Sequence, residues 1–133
     1  MYNGRMIGIF LITHGSYGES LIQCACHVLN KRPLQLAQLG VTPADDPLDL
    51  LPTARKWVDL VNDGEGVLIM TDIYGATPSN LAMKLIEHGR IELVAGVNLP
   101  MLVRTLTYRD KENLPGLITK ALAGGRDGVM SIK

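Results

Sequence analysis

The sequence predicts an α/β fold: a doubly wound, mostly parallel sheet of about four strands, helices on both faces, and a short C-terminal strand. Three observations predict it. The runs Ile7–Ile12 and Gly66–Thr71 are apolar without interruption, the pattern of strands buried on both faces. Segments with helical spacing of apolar residues alternate regularly with the strands, and parallel strands need such right-handed crossovers. Both apolar runs stop abruptly at polar residues, and open parallel sheets bind ligands outside the carboxyl ends of their strands.

The elements follow in order. The first strand is expected from Met6 to Ile12, and a helix from Tyr17 to Lys31 with Leu21, Ala25, Val28 and Leu29 on one face. Ser16 can cap that helix and Pro33 stops it. The second strand, Leu34 to Leu39, includes Gln35 and Gln38, which suits a strand near the sheet edge. After the Pro- and Asp-containing loop Gly40–Pro47, a helix lies within Leu48–Val61, with Leu51, Val58 and Val61 as core contacts and Pro52 marking an irregular start or a kink. Asn62-Asp63-Gly64 ends it. The third strand is Gly66–Thr71. Thr77-Pro78 reads as an N-cap followed by the first helical position, and the helix carries Leu81, Leu85 and Ile86 to about Gly89. The fourth strand is Ile91–Val97. Asn98-Leu99-Pro100 opens a helix over Met101–Tyr108, and Asn113 with Pro115 starts a last one ending at Gly124-Gly125. Gly128–Lys133 reads as a short terminal strand.

The 133 residues predict one domain, and an apolar share of 47% supplies its core. Thirteen basic and thirteen acidic residues cancel, leaving neither a stripe that tracks nucleic acid nor a polybasic membrane tail. No apolar run is long enough to span a bilayer, and Met1–Met6 lacks a signal-peptide pattern, so a cytoplasmic location is expected. Cys24 and Cys26, two apart on a helix, point to different faces and read as unpaired thiols.

The chemistry-bearing residues lie at strand ends. His14 follows the first strand and Asp72 the third. If those strands are neighbours, the carboxylate accepts a hydrogen bond from one ring nitrogen and leaves the other nitrogen's lone pair outward as a nucleophile. Thr77 opens a helix, where a hydroxyl and main-chain N–H groups favour an anion. Together these suit a covalent phosphohistidine that requires no metal or nucleotide cofactor. Each residue also has a structural reading: His14 satisfying a turn, Asp72 capping, Thr77 only starting a helix. His27 within a helix and His88 at a helix C-terminus have structural explanations, Tyr74 either touches the site or covers its loop, and Arg109 and Arg126 read as surface residues. No P-loop, Gly-x-Gly-x-x-Gly or Gly-x-Ser-x-Gly pattern is present.

Four stretches extend this reading: Ile12-Thr13-His14-Gly15, Thr71 to Asn80, Ala95 to Leu102, and Gly125-Arg126-Asp127-Gly128-Val129. In their order and spacing the chain resembles the IIA domain of the mannose family of the bacterial phosphoenolpyruvate-dependent sugar phosphotransferase system. The resemblance implies that His14 accepts a phosphoryl group on Nε2 from HPr and passes it to a IIB component. It implies that Asp72 pairs with the ring and that Thr77 stands close to the phosphoryl group. It also implies a homodimer in which an antiparallel terminal strand, here Asp127–Lys133, is exchanged between subunits. Gly75-Ala76 replaces the Gly-Gly of some members. With no IIB sequence in the 133 residues, the acceptor is expected on a separate chain, and the membrane is reached only through transporter components.

Other readings are a free-standing IIA whose phosphorylation state is a regulatory signal, and a phosphohistidine subunit of the dihydroxyacetone kinase type. A small tetrapyrrole metal chelatase also places His-Gly-Ser after a first strand, but it needs further ligands, and the loop Asp72–Asn80 has no role in it.

Overall fold

The computed structural model describes residues 5–133; residues 1–4 of the segment read above for a leader lie outside them. Four strands, β1 (Gly8–His14), β2 (Leu36–Val41), β3 (Val67–Thr71) and β4 (Ile91–Ala95), form one parallel sheet in the order β2-β1-β3-β4. The helices are α1 (Tyr17–Leu29), α2 (Pro47–Val61), α3 (Thr77–Met83), α4 (Leu99–Tyr108) and α5 (Leu114–Asp127).

The uninterrupted apolar runs produce two cores. Along β1, Ile9 and Leu11 turn to one face and Phe10 and Ile12 to the other, and all four are fully buried. Leu68 and Met70 of β3 join the first face, Val67 and Ile69 the second. The first core is completed by Leu21, Ile22 and Ala25 of α1, Met101, Leu102 and Leu106 of α4, and Leu117 and Ala121 of α5. The second is completed by Ala54, Val58 and Val61 of α2 and Leu81 and Ala82 of α3. Burying each large aliphatic side chain contributes roughly 1.5–3 kcal/mol, so the site rests on the most strongly buried strands.

The strand order sets the site. From β1 the chain moves outward to β2, then crosses β1 to place β3 on its other side. The crevice at the carboxyl ends of β1 and β3 is therefore a topological switch point.

Several boundaries differ from expectation. β1 and β2 each run two residues further than read, so His14 closes its strand, paired with Val41. The helix α1 ends at Leu29, where Asn30 takes a left-handed φ of 53°. Val28 is 56% exposed and Ile22 occupies the core instead. Pro52 lies inside a continuous α2, whose N-cap Asp46 accepts the Leu48 N–H at 2.9 Å. α3 ends at Met83, and a turn over 84–90 still buries Leu85, which is why the apolar spacing continues beyond the helix. β4 stops at Ala95, α4 begins at Leu99, and α5 runs on to Asp127. Residues 129–133, expected as a short terminal strand, pair with no strand among the described residues. Arg109 is 5% exposed rather than on the surface, its guanidinium donating to the carbonyls of Leu34 and Gln35. Cys24 and Cys26 are unpaired. No helix among the described residues is long and apolar enough to cross a membrane.

Candidate active site

His14 and Asp72 meet because β1 and β3 are neighbours in register, Ile12 opposite Thr71. The main-chain N–H of His14 donates to Asp72 Oδ2 at 3.0 Å, and His14 Nδ1 lies 2.8 Å from the same oxygen. Asp72 Oδ1 accepts the Ile73 N–H at 3.1 Å. Burial pushes the Asp72 carboxyl up, but the hydrogen bonds from the His14 main chain and ring and the charge of His14 outweigh it. The net result is a pKa below the ordinary 3.8. Asp72 is thus an anion and only an acceptor, so the proton between the two groups belongs to Nδ1. In the neutral ring Nε2 then carries the lone pair. The His14 side chain is 51% exposed and that of Asp72 16%, so the carboxylate is sheltered behind an open ring.

The turn after β1 is fixed by Thr13, Gly15 and Gly40. Thr13 is fully buried, and its Oγ1 accepts the Gly18 N–H at 2.8 Å. Thr13, not Ser16, supplies the side-chain acceptor at the start of α1; Ser16 sits at the N-cap without a side-chain bond. Gly15 has φ +49° and its N–H bonds the Val41 carbonyl at 2.9 Å. Gly40 passes so close that a Cβ there would stand 2.1 Å from the Gly15 carbonyl oxygen. Tyr17 spans to the other side of the crevice and donates its hydroxyl to the Val97 carbonyl at 2.8 Å. Burial first, and then the charge of Asp72, raise the Tyr17 hydroxyl above its ordinary value. Its sequence signal was an aromatic residue opening the helix behind the histidine turn.

Thr77 is the first residue of α3 rather than its N-cap; Ala76 holds the cap position without a side-chain bond. The loop from Asp72 is braced instead by Ser79, buried, whose hydroxyl accepts the Gly75 N–H at 2.9 Å and donates to the Ala76 carbonyl at 3.0 Å. Thr77 is exposed, and no hydrogen bond joins it to the His14–Asp72 pair. Ile73 and Tyr74 are 58% and 72% exposed on the same loop. His27 lies exposed in the last turn of α1. His88 lies in the turn beyond α3, its Nδ1 3.2 Å from Glu92 Oε1, so its bond is to a neighbouring carboxylate and not to a helix end. Neither joins the crevice pair. Among the described residues no three His, Cys, Asp or Glu side chains gather as a metal site.

Comparison with known proteins follows this geometry. The family model of the PTS system fructose IIA component matches residues 8–122. The mannose-specific EIIAB component of the same system in Escherichia coli (strain K12) is 30% identical over 129 residues. That match takes in 96% of the chain, which spans only 40% of that relative's length. Among solved structures, the mannose/sorbose specific IIA subunit of Enterococcus faecalis superposes with a TM-score of 0.85 at 21% identity, covering 97% of this chain and 96% of that one. The EIIA component of Streptococcus agalactiae gives 0.83 at 21% identity, covering 95% and 97%. The two superpositions show the shared four-strand parallel fold.

Proposed function

The chain belongs to the PTS system fructose IIA component family, and we propose that residues 1–133 act as a mannose-type IIA phosphoryl carrier in the cytoplasm. His14 takes a phosphoryl group from the phosphohistidine of HPr and delivers it to a IIB component, with the membrane reached only through the transporter. The observation that carries this reading is the Nδ1–Oδ2 contact of 2.8 Å behind a half-exposed ring. It fixes the tautomer and aims one lone pair at solvent.

Transfer then needs little covalent help. The Nε2 lone pair of His14 attacks phosphorus in line, the new N–P bond forms, and the donor's N–P bond breaks with its electron pair returning to the donor ring. No proton moves, because Nδ1 keeps its own. The ring becomes cationic as Nε2 bonds phosphorus, and the Asp72 carboxylate, already in place, stabilises that charge. Delivery to the acceptor is the same step reversed in direction. The Thr77 hydroxyl, exposed at the end of the loop that begins at Asp72, is assigned to a phosphoryl oxygen. Thr13, Gly15 and Gly40 hold the turn that carries the ring.

The test is nitrogen-15 NMR of the histidine rings after incubation with phosphoenolpyruvate, enzyme I and HPr. Phosphorylation of His14 at Nε2, with Nδ1 still protonated, is expected. A phosphoryl group on Nδ1, or on His27 or His88, contradicts the proposal.

A further inference from the structure

We propose that Tyr17 is a positioning residue for the phosphoryl transfer: its hydroxyl, tied across the crevice to the Val97 carbonyl, holds Asp72 against the His14 ring. This inference rests on the reading of His14 as the phosphoryl carrier and names a residue that acts on it through Asp72.

The ladder between β1 and β3 ends at Ile12 opposite Thr71. His14 and Asp72 therefore lie beyond the paired region, and strand pairing does not by itself set the distance between them. A second route joins them. Gly96 and Val97, in the turn after β4, donate their N–H groups to the Thr71 carbonyl at 2.9 and 3.0 Å, and Asp72 follows Thr71 directly. The Val97 carbonyl accepts the Tyr17 hydroxyl at 2.8 Å. Tyr17 lies three residues after His14. The path from His14 through Tyr17, Val97, Thr71 and Asp72 thus returns to His14 through the Asp72 carboxylate, a closed ring around the crevice.

Both posts of this tie are fixed. On one side the Gly18 N–H is bonded to the buried Thr13 Oγ1, which pins the first turn of α1 to β1. On the other, the Val97 side chain is buried in the first core. Asn98 beside it accepts the Met101 N–H at 2.9 Å and donates to the Gly125 carbonyl at 3.1 Å. A hydrogen bond between groups that are themselves locked holds a geometry rather than following it.

The hydroxyl is not needed for packing. Tyr17 is 40% exposed, so water could satisfy its O–H, and a phenylalanine would cover the same apolar surface. Burial first, and then the Asp72 charge, keep the hydroxyl above its ordinary pKa, so at neutral pH it retains the proton it donates. What the oxygen adds is the link to Val97.

The test is Tyr17→Phe, which keeps the ring and removes the tie. Its first readout is nitrogen-15 NMR of the unphosphorylated chain at a pH where the His14 ring is neutral. With Asp72 held less firmly the second tautomer enters, and the separation between the Nδ1 and Nε2 resonances should narrow relative to wild type. The second readout is rapid-quench labelling over a range of phospho-HPr concentrations. The rate at saturation should fall about five- to tenfold, with the half-saturating concentration unchanged. In the Asp72→Asn background the same change should slow labelling by less than about twofold, since the residue it acts through is already altered. Three results overturn the proposal: an unchanged separation of the ring resonances, a raised half-saturating concentration at an unchanged saturating rate, or the full loss of rate in the Asp72→Asn background. The NMR readout needs no phosphoryl donor. A chain that HPr does not label would therefore overturn the carrier reading, while the ring resonances still decide whether Tyr17 holds Asp72 against His14.

Discussion

One oxygen of Asp72 receives both hydrogen bonds that His14 sends it, from the main-chain N–H at 3.0 Å and from Nδ1 at 2.8 Å. The same atom thereby sets where the backbone of residue 14 lies and which way its ring turns. Residues at the ends of neighbouring parallel strands reach this arrangement with no rearrangement at the moment of reaction.

Asp72→Asn keeps an acceptor in place but removes its charge. A charge-assisted hydrogen bond is about twice as strong as a neutral one, so phosphoryl acceptance at neutral pH should slow by roughly tenfold or more. Rapid-quench labelling of His14 checks this. The stability consequence has a defined sign. The folded Asp72 pKa lies below its ordinary 3.8, so its contribution is fully present above that value and is lost as pH falls through the lower, folded one. Urea unfolding should show wild type and Asp72→Asn separated at pH 7 and converging in acid below 3.8. A gap that widened in acid would contradict the assignment.

The two glycines of the histidine turn answer to different constraints. A Cβ on Gly15 meets nothing within 4 Å, but the residue sits at φ +49°. Gly15→Ala should therefore cost about 1–2 kcal/mol through left-handed backbone strain. Gly40→Ala drives a methyl into the Gly15 carbonyl and should cost roughly 1–3 kcal/mol or more. Because the displaced group belongs to the residue after His14, Gly40→Ala should also slow labelling. Thermal unfolding and phosphorylation rates, measured on both variants, separate the two effects.

The tail exposes Val129, Met130 and Ile132 to 74%, 66% and 82%. Three large apolar side chains on a segment without regular secondary structure are costly to leave in water. We propose that they are covered by a second copy through exchange of residues 127–133. Sedimentation should give the mass of two chains at micromolar concentration, and removal of residues 129–133 should shift it toward one. A full-length monomer under those conditions contradicts the exchange.

Much of this fold was legible because its signals are local. Strands buried on both faces read as unbroken apolar runs, and Pro and Asn mark the starts of α4 and α5. The meeting of His14 with Asp72 was legible only conditionally, since it depends on which strands neighbour each other. What escaped was decided by tertiary partners. The hydroxyl that anchors α1 is Thr13 rather than Ser16, because the donor, the Gly18 N–H, is presented to the strand and not to the turn. Leu85 is buried in a turn, so its spacing imitated a longer α3. Arg109 is buried because two carbonyls from the segment before β2 receive its guanidinium, a pairing of residues far apart in the chain.

The central claim is that one ring, His14, carries the phosphoryl group. Its side chain is half exposed, so His14→Ala should leave thermal unfolding within the few tenths of a kcal/mol typical of surface changes, beyond the loss of its bond to Asp72. The measurement is the intact mass of wild type and His14→Ala under mildly alkaline conditions, after incubation with phosphoenolpyruvate, enzyme I and HPr. The account predicts a single acid-labile phosphoryl group on wild type and none on His14→Ala. Retained labelling of the variant, or no added mass on wild type with a competent HPr from the same organism, would contradict it.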